Sequence, residues 1–276
     1  MRKGLSFYLF SAGAALLCAV SCSIKEDREL CPADLVMDYS LVRADERTGF
    51  RSEEDSLLVE VQTFYREIIR PADYPSLHRI SVKRTAVNVG CHYGFTRSRL
   101  QNGEGRLVIP LGEDSDRLYS FRQTVVFGPS TEESYVMPSL GNEFTKVILS
   151  FPEEGWEAYR DKYSIRAIGN TCGIDLRSGR PVSGPFTCEL RPYDSHSYCF
   201  NMPRQNDRDI SIAVVSRDSG EKVFGIDLAA ELDNVGYLWN AQSLSPLVVI
   251  NVDMVDFTLD INVLDWDDVV YFNYEI

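Results

Sequence analysis

The residues able to do chemistry in this chain are few, and their spacing suits little of it. There are three histidines, His78, His92 and His196, against 41 acidic residues. His92 follows Cys91, but neighbouring residues of a strand point to opposite faces, so the pair cannot form a Cys–His dyad. Ser216, Ser219 and His196 sit in no G-x-S-x-G turn. Gly103-Glu104-Gly105 is followed by no Lys-Ser/Thr and reads as a hairpin turn rather than a phosphate loop. The densest carboxylate run is Asp265-Trp266-Asp267-Asp268. Calcium wants several oxygen ligands on a loop that turns at a glycine, and this run has none, so it reads as an acidic strand end. No Cys-x-x-Cys pair or Cys/His cluster has zinc spacing. A glycosidase pair needs two carboxyls about 5–9 Å apart, which spacing in sequence cannot show. The expectation is no catalytic residue, no metal and no cofactor. Trp156, Trp239 and Trp266 could form a sugar-stacking platform, although tryptophans more often serve the core.

One residue does have a chemical context. Arg2 and Lys3 precede an apolar run from Leu5 to Val20, too short to span a bilayer and shaped like a signal peptide. The run closes on Ala19-Val20-Ser21-Cys22, which resembles a bacterial lipobox. In that motif the Cys22 thiol is acylated and cleavage leaves it as the first residue. Several acyl chains on one residue anchor firmly, because each buried CH₂ contributes about 0.8 kcal/mol. Lys25-Glu26-Asp27, just beyond, resembles the export signal of outward-facing lipoproteins of Gram-negative bacteria. No later segment is long and apolar enough to span a membrane.

Charge narrows the partners. The net charge is −13 and moves to −15 when residues 1–21 are removed, since they carry two cations and no acid. Such a chain is poorly suited to a phosphate backbone, so no nucleic acid is expected. The charge is uneven. Eight basic residues lie between Arg66 and Arg106, and none follows Lys222. A basic patch on one half and an acidic face on the other would orient a partner. Beyond Cys18 and Cys22, five cysteines remain: Cys31, Cys91, Cys172, Cys188 and Cys199. They could form two disulfides and leave one thiol, or all remain reduced and buried. Cys188 and Cys199 flank an expected hairpin loop, Arg191 to Ser197, and would lie close if their strands pair.

The elements that must position these residues are strands. Leu57, Val59 and Val61 alternate with Leu58, Glu60 and Gln62. The same two-residue period recurs at Ile80/Val82, Leu107/Ile109, Val147/Leu149/Phe151, Tyr163/Ile165/Ala167, Phe186/Cys188/Leu190, Tyr198/Phe200/Met202 and Ile210/Ile212/Val214. It is longest from Val255 to Val263. Helix is scarce, with short candidates at Pro152–Tyr163 and Leu228–Leu232. Short strands separated by turn residues predict an all-β chain of sandwiches. The break Pro138-Ser139-Leu140-Gly141-Asn142 divides it. The expected organisation is a signal peptide at 1–21, a lipidated tether at 22–34, a first sandwich at 35–141 and a second at 142–276.

Several stretches together resemble the fimbrillin-associated (FimB-type) anchor lipoproteins. They are the lipobox, Lys25-Glu26-Asp27-Arg28, Cys31-Pro32, Leu35-Val36-Met37-Asp38-Tyr39-Ser40 and Gly112 through Tyr119. Glu143-Phe144-Thr145-Lys146-Val147, Phe224-Gly225-Ile226-Asp227-Leu228 and the strand ending at Asp265-Trp266 complete the set. The chain departs from the family's usual strand at Val59-Glu60-Val61-Gln62-Thr63-Phe64. The resemblance implies two tandem transthyretin-like β-sandwiches without catalysis. It also implies lipid attachment at Cys22, outer-membrane anchoring with surface display, and a fimbrial shaft subunit as partner, docked by strand addition. The implied role is to anchor a fimbria and limit its length. The alternative reading is a surface lipoprotein that binds glycan.

Overall fold

A computed structural model describes residues 32–51, 53–62, 64–101, 105–151, 160–239, 247–252 and 259–264. The signal segment, Cys22, Cys31, Trp156 and the Asp265–Asp268 run fall outside them, as do residues 152–159 of the helix expected at Pro152–Tyr163; of the rest, Arg160–Lys162 is a 3-10 turn and Tyr163 begins a strand.

The chain is all-β, as its two-residue period predicts. The first sandwich pairs a three-stranded with a five-stranded sheet. The smaller places β1 (Pro32–Met37) between β4 (His78–Lys83) and β9 (Glu133–Val136). The larger runs β10 (Gly141–Asn142), β8 (Tyr119–Val126), β5 (Ala86–Tyr93), β2 (Leu57–Val61), β3 (Tyr65–Ile69). Leu57, Val59 and Val61 meet Leu35, Met37, Val87 and Cys91 in one core. Each fully buried aliphatic side chain there contributes about 1.5–3 kcal/mol.

The second sandwich repeats the plan. One sheet runs β14 (Arg191–Pro192), β15 (Ser197–Pro203), β11 (Phe144–Ser150), β18 (Leu247–Val252), β19 (Leu259–Leu264). The other is built on the long strand β12 (Tyr163–Asp175), flanked by β13 (Pro181–Glu189) and by β16 (Ile210–Ser216) with β17 (Lys222–Ile226). Val147, Leu149, Phe200, Ile212 and Val248 share its core. In both sandwiches the first strand lies between one antiparallel and one parallel neighbour: β4 and β9 flank β1, and β15 and β18 flank β11. The short helix α1 (Ser40–Ala44) follows β1, and α2 (Leu228–Asn234) covers the second core with Leu228 and Leu232. The Asp227 side chain caps α2 by accepting from Ala230 N–H.

The two sandwiches are joined by more than a linker. The hairpin of β6 (Arg99–Leu100) and β7 (Arg106–Val108) leaves the first sandwich after β5 and pairs with β12 of the second. Ile109 N–H then donates to Cys172 O, and its side chain enters the second core. Gly173 makes this approach possible: a Cβ there would lie 2.1 Å from Leu107 O. Leu58, Leu107, Leu118, Ile174 and Leu176 form a small apolar joint. This is why β2 is buried on both faces, where alternation alone predicts a solvated face for Leu58 and Glu60. A single residue, Glu143, separates β10 from β11, yet the Phe144 ring packs back into the first core, edge-on to Tyr119.

Candidate functional site

Cys91 and His92 separate as strand geometry requires. Cys91 lies in the first core, where burial pushes its thiol well above the ordinary range. His92 is fully buried on the opposite face, its Nδ1 3.0 Å from Ser120 Oγ. Ser216 and Ser219 stay together in the β16–β17 turn, while His196 lies in the β14–β15 loop of the other sheet. Trp239 is buried edge-on to Tyr237 and donates Nε1–H to Asp233, so it presents no stacking platform. Among the described residues, no three His, Cys, Asp or Glu side chains are grouped to hold a metal.

The strand pairing that would bring Cys188 and Cys199 together does not occur. The hairpin exists, but Cys199 sits opposite Arg191 on β15, whereas Cys188 belongs to β13 and pairs with Ala167 in the other sheet. Cys188 faces the second core, and Cys199 lies on the outer face of its own sheet with Ile148 and Leu247. Cys91, Cys172, Cys188 and Cys199 are free thiols. The basic stretch from Arg66 to Arg106 is not a free patch either. Arg66 meets Glu60, Arg70 meets Asp73, Arg79 meets Asp34 and Glu133, and Arg97 meets Asp114. These pairs cancel much of the field that would orient a partner.

The joint between sandwiches holds a cluster of buried charged groups. Glu143 takes Arg122 Nη1 at 2.7 Å and Arg204 Nε at 3.0 Å. Arg122 also donates Nε–H to Leu176 O at 2.8 Å. His92 Nε2 lies 3.6 Å from Glu60 Oε2, while the other Glu60 oxygen accepts from Arg66. Burial, then Arg122 and Arg66, pushes the His92 pKa down to about 3, so the imidazole is neutral at physiological pH. In the first core, burial also lowers the His78 pKa; its Nδ1 is 2.9 Å from Tyr39 Oη. Arg122 and Glu143, with Arg204, tie the two sandwiches together.

Two features could engage a partner. The first is the set of outer strands whose second edge is unpaired among the described residues: β3, β4, β9, β17 and β19, with the two-residue β6, β10 and β14; the outer edge of β13 is met by Gly112, whose N–H donates to Thr187 O. Charges guard several of them, such as Arg79 and Lys83 on β4 and Arg66 and Glu67 on β3. Ile68 on β3, Tyr135 on β9 and Val223 on β17 remain exposed. The second is a groove of about 740 Å³ between the sandwiches. It is lined by Ile68, Tyr93, Phe95 and Arg117 from the first sandwich and by Arg191 and Asn201 from the second. Gly94 shapes it: φ is +92°, and a Cβ would lie 2.1 Å from Arg117 O. Asp116 fixes the same corner by accepting from the Arg97 and Ser98 N–H groups and the Thr96 hydroxyl. The sequence reading missed this groove. Its signal was the polar run Asp114-Ser115-Asp116 between two strands, the kind of side chain that caps turning backbone.

Comparison with known proteins places the fold. No protein-family model and no curated protein matches the sequence. Solved structures do match in shape. The fimbrial anchor protein Mfa2 from Porphyromonas gingivalis has a TM-score of 0.59 at 11% identity, over 84% of this chain and 98% of that one. A candidate polysaccharide-binding protein from Bacteroides thetaiotaomicron has 0.59 at 12% identity, over 86% and 99%. A candidate adhesin from Bacteroides ovatus has 0.57 at 16% identity, over 86% and 94%. The tandem-sandwich architecture of this chain is therefore a fold it shares, nearly end to end, with solved fimbrial-anchor and adhesin structures.

Proposed function

We propose that this chain is a cell-surface lipoprotein that anchors a fimbria to the outer membrane and takes no part in catalysis. The observation that carries the reading is the fold likeness to the Porphyromonas gingivalis anchor across 98% of that protein. The lipobox-like segment ending at Cys22 supports it from the other end of the chain. The partner is a fimbrial shaft subunit, and an unpaired sandwich edge accepts an extended strand from it. Backbone hydrogen bonds then give affinity, and alternate side-chain pockets give specificity. A length-limiting role follows if the anchor occupies the subunit that would otherwise extend the shaft. The glycan-binding alternative loses one of its three tryptophans, because Trp239 is buried.

The test is crosslinking on intact cells, capture of this protein and mass spectrometry of what accompanies it. A β-rich secreted subunit dominating the capture supports the anchor reading. Recovery of outer-membrane transporters alone overturns it. Lipidation is tested separately: Cys22→Ser should abolish labelling by an alkyne fatty acid and release the protein from the membrane fraction.

A further inference from the structure

We propose that the end of the first sandwich nearest Cys22 docks on the bilayer surface, with Phe64 and Val126 at the lipid interface and Lys83 and Arg84 on lipid phosphates. The proposal rests on the lipoprotein reading and adds an orientation to it. The entry end of the first sandwich lies on the lipid, and the second sandwich stands away from it.

Reach is the first argument. Only residues 23–31 separate Cys22 from Pro32, the first residue of β1. Fully extended, that stretch spans at most about 35 Å. Strand β1 then runs to Met37, about 17 Å further on. An acylated Cys22 therefore keeps the Pro32 end of the sandwich within reach of the headgroups. Strand register brings three turns to that end. Pro32 pairs with Lys83, the last residue of β4. Arg84 and Thr85 make the turn into β5, whose first residue, Ala86, pairs with Val126 at the end of β8. The turn from β2 to β3 arrives there too, since Val61 pairs with both Val89 and Tyr65. The joint with the second sandwich uses the other end of these strands, where Leu58 pairs with His92.

The side chains on these turns are the second argument. Val126 is the most exposed large apolar residue among those described, at 72%, and Phe64, just before β3, is 50% exposed. Both are held out by fixed backbone. Gln62 takes a left-handed φ of +49° and donates Nε2–H to Ala86 O at 3.2 Å. Arg84 donates Nη1–H to Pro129 O at 2.8 Å, which ties the β4–β5 turn to the β8–β9 turn, and Thr131 Oγ1 accepts from Gly128 N–H. Lys83 is exposed and Arg84 half-buried, and neither has a carboxylate partner among the described residues. On the adjoining strands Asp34 and Glu133 are both taken by Arg79. Glu132 is the one acid on the three turns.

A chain of net charge −13 thus presents two apolar tips and two cations at the end it is tethered by. A lipid surface fits that combination: apolar side chains enter the acyl boundary, while Lys and Arg meet phosphate. A partner strand needs a free ladder edge, which turns do not offer.

The test uses the acylated full chain, added to preformed phosphatidylcholine–phosphatidylglycerol vesicles or kept in neutral detergent micelles. A membrane-impermeant amine-labelling reagent, read by mass spectrometry, reports on Lys83, with Lys222, exposed in the second sandwich, as the reference. Lys83 should react about tenfold more slowly relative to Lys222 on vesicles than in micelles, the size of shift that two cations at an anionic surface support. Val126→Asp should restore its reactivity with Tm unchanged and the chain still in the vesicle fraction. Val223→Asp, at an exposed site of the second sandwich, should change nothing. Equal reactivity of Lys83 on vesicles and in micelles, equal protection of Lys222, or protection untouched by Val126→Asp would each overturn the docking and leave the lipid anchor standing. A chain that never enters the vesicle fraction overturns the lipoprotein reading, and this proposal with it.

Discussion

His92 makes acid stability a direct test of how the two sandwiches are joined. Its side chain is fully buried beside Ser120, Glu60 and Arg122. Unfolding returns it to water, where its pKa is about 6.5. In the folded protein burial, Arg122 and Arg66 hold it down to about 3. Between those values the unfolded chain carries one proton on this residue and the folded chain none. Stability therefore falls as pH falls from about 6.5 towards 3, with a slope of about 1.4 kcal/mol per pH unit from this residue. Over the whole window the loss is about 4–5 kcal/mol, a large share of the stability of an ordinary domain. His92→Gln keeps a polar group beside Ser120 and cannot be protonated. The assay is urea unfolding at pH 4.5, 5.5, 6.5 and 7.5 for both proteins. Carboxylates and His78 contribute alike to the two curves and cancel in the difference. The variant should lose less stability than the parent by about 1.4 kcal/mol for each unit between pH 6.5 and 4.5, and the curves should run parallel above pH 7. Parallel curves over the entire range would refute the assignment of a neutral, proton-excluding imidazole at the joint.

Three further outcomes follow from the same structure. Gly173→Ala should cost about 1–3 kcal/mol, because the new Cβ falls 2.1 Å from Leu107 O; amide exchange should quicken first at Leu107 to Ile109. Glu143→Gln leaves Arg122 and Arg204 without their shared carboxylate and should cost about 3–5 kcal/mol, read by urea unfolding, with faster proteolysis between the sandwiches. Alkylation in denaturant without reductant should label Cys91, Cys172, Cys188 and Cys199 in full, and recovery of a linked Cys188–Cys199 peptide would contradict the placement of those strands in separate sheets.

The sequence by itself determined the strands and their inward faces. The two-residue period at Val147/Leu149, Phe200/Met202 and Ile210/Ile212/Val214 marks side chains that all reach one core, because burial of one pleated face is a local property of the pattern. It also determined the helix at Leu228 and the separation of Cys91 from His92, both matters of neighbouring residues. It could not decide what lies on the second face of a strand. Leu58 and Glu60 read as solvent-facing, and they are buried because a hairpin from 99–108 crosses to β12 and brings the second sandwich against β2. The same crossing makes Gly173 necessary, unites Glu143 with Arg122 and Arg204, and opens the groove beside Arg117 and Asn201. Cys188 and Cys199, eleven residues apart, lie in different sheets for the same reason. Pairing between strands distant in sequence is set by total burial and hydrogen-bond satisfaction across the whole chain, and no local spacing encodes it.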